Sequence, residues 1–124
     1  MTKEQALTKF WESFGLAAYD ENSVPSGENK PSYPYITYNV ITGSFGSDIS
    51  LTASLWYKSS SWAAITEKAN EISEAISAGG KIIPYDNGAI WIKRGNSFAQ
   101  RMGDSNDSIR RIYLNIIAEY ISAD

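Results

Sequence analysis

Between Asp48 and Ile76 the hydrophobic period changes once, from two residues to about 3.6, with almost no chain between the two halves. A strand therefore runs straight into a helix. Ile49, Leu51, Ala53, Leu55 and Tyr57 alternate with Asp48, Ser50, Thr52, Ser54 and Lys58, so one face of the strand is apolar and the other largely wet. Trp56 breaks the pattern. Trp62, Ile65, Ala69, Ile72 and Ile76 then recur at spacings of three and four, the stripe of a helix packed on a core. Ser59, Ser60 and Ser61 can cap its start, and Gly79 and Gly80 stop it.

The flanking chain divides in the same way. Thr2 with Gln5 three residues on forms a capping box, and Leu7, Phe10, Trp11 and Phe14 give an apolar face, which predicts a helix over Lys3–Ala18. Tyr19 to Ser32 is rich in Asp, Glu, Asn, Ser, Gly and Pro and reads as an irregular loop. Tyr33 to Ile41 resumes strand composition, with Ile36, Tyr38 and Val40 on one face. The glycine-bearing segment Thr42–Ser47 joins it to the 48–58 strand as an antiparallel hairpin.

Lys81–Tyr85 and Ala89–Lys93 flank Asn87-Gly88, the pair a type I′ turn uses because both its central positions need positive φ. Counting outward sets Tyr85 opposite Ile90, Ile83 opposite Ile92 and Pro84 opposite Trp91. Pro84 cannot donate a ladder hydrogen bond and marks an edge. Arg94 to Asp107 is polar and reads as a second long loop. Ile109–Ile121 closes the chain as a long strand, with Ile112, Leu114, Ile116, Ala118 and Tyr120 toward the core and Arg111, Tyr113, Asn115, Ile117 and Glu119 on the other face. The order α-β-β-α-β-β-β predicts one α+β domain over residues 1–124, a mostly antiparallel sheet of about five strands carrying both helices on one face.

Composition narrows the chemistry. Four Trp, eight Tyr and four Phe in 124 residues are ample for one core. With no cysteine there is no disulfide framework, thiolate metal site or cysteine nucleophile, and with no histidine the usual general base, zinc ligand and serine–histidine triad are all missing. No run of apolar residues has the length of a membrane span, and the first residues, with Glu4 and Gln5, do not read as a signal peptide. A formal net charge of −3 argues against attachment to nucleic acid through the overall field.

Asp104 and Asp107 could bind a divalent cation or do acid–base work, but no further ligands stand at a recognisable spacing, and a solvated loop explains them better. Gly43 and Gly46 follow a strand without a phosphate-cradling motif. No cofactor or metal is expected. Lys93, Arg94, Arg101, Arg110 and Arg111 are the one basic concentration, with Trp91 and Tyr113 nearby. That composition suits either single-stranded nucleic acid or an intersubunit charge patch. Trp11 and Trp62 lie on helix stripes and are expected in the core. Trp56 and Trp91 point away from their strands' apolar sides, as interface anchors or under cover from a loop or the first helix.

In its order of elements the chain resembles the tail terminator and head-to-tail joining proteins of long-tailed bacteriophages. The residues that carry the likeness are Pro31-Ser-Tyr-Pro-Tyr-Ile-Thr-Tyr-Asn39, Leu55-Trp-Tyr-Lys58, Gly80-Lys-Ile-Ile-Pro84 and Arg111-Ile-Tyr-Leu-Asn115. These are short and diffuse patterns without a catalytic signature. The resemblance implies a non-enzymatic virion or prophage protein, assembled in the host bacterial cytoplasm. It would form a ring, typically a hexamer, on the last ring of the tail tube protein, end tube polymerisation and receive a head-completion or connector protein. DNA would pass through without specific binding. Trp56, Trp91, Arg94, Arg101, Arg110, Arg111, Tyr113 and Ile117 are the candidate contact residues. Three other readings stand beside it: a different head–tail completion or adaptor protein, a small monomeric peptide- or nucleic-acid-binding module, and an enzyme using Asp104 or Asp107.

Overall fold

A computed structural model describes residues 1–41, 48–104 and 106–122. In chain order the elements are α1 (Lys3–Glu12), β1 (Ala17–Asp20), β2 (Tyr35–Tyr38), β3 (Asp48–Lys58), α2 (Ala63–Ile76), β4 (Lys81–Tyr85), β5 (Gly88–Met102) and β6 (Ile109–Ser122). A 3-10 turn covers Gly27–Asn29. The strands form one sheet in the order β1-β2-β3-β6-β5-β4, antiparallel except for β1 against β2. The fold is α+β, with six strands where about five were expected. The connection expected over Thr42–Ser47, including Gly43 and Gly46, lies outside the described residues.

The sixth strand comes from a shorter first helix. The capping box between Thr2 and Gln5 forms, but α1 ends at Glu12 and does not reach Ala18. Gly15 then takes a left-handed φ of 82°, which glycine adopts without steric cost. Ala17–Asp20, expected to straddle the helix end and an irregular loop, pairs in parallel with Tyr35–Tyr38. The free edge of β2 has backbone groups to satisfy, and this segment supplies the partners.

The β4–β5 hairpin turns one residue earlier than its Asn-Gly signal predicts. Tyr85 pairs with Gly88, Ile83 with Ile90 and Lys81 with Ile92, so Asp86 and Asn87 form the turn. Only Asn87 of those two has positive φ, so the turn is not type I′. Met1 engages the displaced turn: its carbonyl accepts from the Asp86 N–H at 2.7 Å, and its amino group pairs with the Asp86 carboxylate. The pairing shift is two residues, an even number, so Ile83, Ile90 and Ile92 still share the core face. Pro84 lies on an edge strand, as its missing N–H requires.

The second expected loop, Arg94–Asp107, is mostly strand. β5 continues to Met102 through a bulge between Arg94 and Ala99, after which Ala99 pairs with Leu114 and Met102 with Arg111. β3 already covers β6 on one side from Ile109 to Glu119. Backbone groups along the other side of so apolar a strand also need partners, and the polar half of β5 provides them. Gly95 is the sequence mark of the bulge, because a Cβ there would lie 2.9 Å from the Asn115 carbonyl oxygen. The Asn115 side chain donates to the Ser97 carbonyl across the same irregularity.

Both helices cover one face of the sheet. From α2, Ile65, Ala69, Ile72 and Ile76 are buried, and Leu7, Phe10 and Trp11 are buried from α1. Trp11 stacks on Tyr38 of β2. Because α1 touches both β1 and β4, the two edges of the sheet, the sheet curls around it. Leu51, Leu55, Ile112, Leu114, Ile116 and Tyr120 complete the floor of the core.

Candidate interaction site

The face of the sheet away from the helices carries an aromatic ribbon that crosses four strands. Tyr35 of β2 is opposite Trp56 of β3, and Trp56 is opposite Arg111 of β6. Their side chains follow this register. Tyr19 meets Tyr35 edge-on at 6.1 Å between ring centroids, and Tyr35 lies nearly parallel to Trp56 at 6.2 Å. The Arg111 guanidinium covers Trp56 at 4.6 Å and reaches Tyr113 at 5.6 Å.

Short polar side chains lock the ribbon. Trp56 Nε1 donates to Thr37 Oγ1 at 2.9 Å, and Arg111 Nε donates to Ser54 Oγ at 3.0 Å. Ser54 is the buried polar residue beneath it. Burial first, then the neighbouring Tyr33 and Tyr19 phenols, push the Tyr35 phenol above the usual tyrosine range. The two terminal nitrogens of Arg111 have no hydrogen-bond partner among the described residues. They present a rigid, charged fork of the kind that recognises carboxylates.

Farther along the same face the lysine is already paired. Lys93 lies over Trp91 at 4.6 Å and pairs with Asp48 at 3.3 Å and Glu119 at 4.0 Å. Trp91 Nε1 donates to the Gly79 carbonyl. Ile117 stands between Ser50 and Lys93, and Ile82 on the edge strand is 62% exposed. Trp56, Trp91, Arg111, Tyr113 and Ile117 therefore share one face.

The basic concentration seen in the sequence splits over two faces. Arg94, Arg101 and Arg110 are on the helix side. Arg94 donates to Ser73 of α2 at 3.0 Å, whereas Arg101 and Arg110 both lie against Trp62, at 4.8 and 5.2 Å. Trp62 is only partly buried, because it forms the platform for those two guanidinium groups at the rim of the core. Arg110 is committed internally: it donates to the carbonyls of Ser60, Asp107 and Ile109, while its Nε is buried without a partner. Ser61, not a side chain at Trp62, accepts from the first amide of α2.

Asp104 Oδ1 accepts from the Asn106 N–H in a local turn. Among the described residues no group of three or more His, Cys, Asp or Glu side chains could hold a metal. No described helix is long and apolar enough to cross a membrane. A cleft of about 810 Å³ opens at the end of the ribbon, between the 24–34 segment and Tyr57 with Lys58, and Tyr33 and Tyr35 form part of its wall.

The same fold occurs in a chain of a gene transfer agent virion. A chain of the "Virion of native gene transfer agent (GTA) particle" superposes with a TM-score of 0.60 at 18% identity, over 95% of this chain and 93% of that one. No family model and no curated protein sequence matches the chain. At this identity the likeness concerns the fold alone, and it extends over nearly the full length of both chains.

Alternation in the sequence was sufficient to put Trp56, Arg111, Tyr113 and Ile117 on one face of their strands. It also put Ser54 on the wet face of its strand, but it did not single out Tyr35 and Thr37, which complete the ribbon. Tyr35 alternates with Ile36 and so carried a facing signal. Its partner depended on strand register, which no local pattern supplies.

Proposed function

We propose that this protein is a structural component of a phage-like particle, forming a ring that caps the tail tube, ends its polymerisation and joins tail to head. The full-length fold shared with a chain of a gene transfer agent virion carries this reading. The uncovered sheet face supports it, since a stacked ribbon ending in a free guanidinium fork suits a protein partner. The acidic balance, −3 overall, fits a ring through which DNA slides without sticking. Self-association, the tail tube protein and a head-completion or connector protein are the partners this function requires.

The test is sedimentation and electron microscopy of the purified chain, alone at high concentration and with tail tubes from the same phage or prophage. Rings of uniform size, seated on tube ends and limiting tube length, are expected. A chain that remains monomeric with tubes present and leaves their length unchanged would refute the proposal. Binding along the tube walls would refute it as well.

A further inference from the structure

We infer that the Tyr35–Trp56–Arg111 ribbon seats helix α2 of a second copy of this chain, with Arg111 meeting Glu67 and Glu74. This rests on the ring-forming reading above and names the surfaces that would build the ring. Nucleic acid is the less suitable occupant. Tyr35 and Arg111 come from the strands on either side of β3 and flank the Trp56 ring, the guanidinium lying 4.6 Å from its centroid. A base needs a free aromatic face on which to stack. What the ribbon offers is a row of aromatic rings and, in Arg111, a cation whose terminal nitrogens have no partner among the described residues.

The outer surface of α2 has the complementary properties. Glu67, Glu71 and Glu74 are exposed along one side of the helix, at spacings of four and three residues. Lys68 neutralises Glu71 at 3.1 Å. Glu67 and Glu74 have no partner among the described residues. Ala64 and Ala75 are exposed on the same helix and keep its surface low around the glutamates, so the aromatic ribbon can approach closely. Carboxylate and guanidinium would then pair at a site from which the aromatic rings exclude water.

Geometry favours a second copy over an internal contact. The ribbon lies on the sheet face opposite α2, so the two surfaces are on opposite sides of the molecule. A contact between unlike surfaces leaves one of each kind free on every pair. It therefore propagates head to tail and closes into a ring where the rotation permits.

A charge swap tests the pairing. Arg111→Glu in one protein, and Glu67→Lys with Glu74→Lys in another, each oppose like charges across the proposed contact. Each should weaken self-association at least about tenfold, because like charges across an interface are strongly unfavourable. Mixed together, the two proteins can alternate, and every contact then pairs opposite charges, native at one joint and exchanged at the next. The mixture should assemble while each protein alone does not, with thermal melts showing that both are folded. Assembly of either variant alone at the wild-type concentration would overturn the inference. So would a mixture of folded variants that stays monomeric while wild type forms rings, and that result would leave the ring reading intact. A wild-type chain that never associates would overturn both.

Discussion

Truncating Leu114 separates the two faces of the central strand. Leu114 is fully buried in the middle of β6 and is paired with Ala53 on one side and Ala99 on the other. Neither alanine can extend into the space that Leu114→Ala would leave. The cost should fall in the upper part of the range for buried leucines, about 3–5 kcal/mol. With an unfolding entropy of about 2.1 cal/mol/K per residue, each kcal/mol lowers the melting temperature of a chain this size by about 4 °C, so a fall of about 12–20 °C is expected. Urea denaturation should show a lower midpoint with an unchanged slope. Ile117→Ala is the control, three residues on and on the opposite face. There the side chain is only partly buried beside Ser50 and Lys93, and the loss should be about 1 kcal/mol or less. Equal losses at the two positions, or a larger loss at Ile117, would refute the assignment of faces on which the ribbon depends.

Arg110→Ala should cost about 2–3 kcal/mol, since three carbonyl oxygens and the Trp62 ring lose one shared guanidinium, and Arg110→Lys should restore little because an ammonium cannot fork between them. Chemical denaturation of both variants measures this, and full rescue by lysine would contradict it. Gly88→Ala should destabilise the β4–β5 hairpin, because a Cβ there would collide with the Ile121 carbonyl oxygen; hydrogen exchange should show faster opening of β4 than in the parent protein. Alkaline pH should weaken the fold through Tyr120. Burial, reinforced by Glu4 and Tyr85, raises its phenol above the ordinary 10.0, so the unfolded chain ionises first. The stabilisation is complete below pH 10.0 and is lost as the pH rises through the folded value, a slope that Tyr120→Phe should flatten in urea midpoints measured from about pH 9 to about pH 12.

The elements legible in the sequence are those whose periodicity coincides with their burial. β3, α2 and β6 each show an apolar stripe, and the structure buries that stripe in each. The far half of β5 left no such trace. Its residues from Arg94 to Met102 are mostly exposed, and its pairing is dictated by the backbone of β6, not by its own side chains. β1 is similar: four residues with none fully buried, held by the edge of β2. Strands recruited to satisfy a neighbour's backbone carry their reason for existing in that neighbour's sequence.

Arg110 and Arg111 show the same limit for the site. As consecutive basic residues they look like one patch, and a sequence reading groups them with Arg94 and Arg101. In a strand, neighbours point to opposite faces. Arg110 accordingly turns to the helix side and is spent on three carbonyls and a partly buried tryptophan, while Arg111 turns to the uncovered face and keeps two nitrogens free. Reversing both charges together would thus confound a folding defect with an interface defect. Changing Arg111 without Arg110 leaves the Arg110 clamp intact and alters only the cation that faces outward.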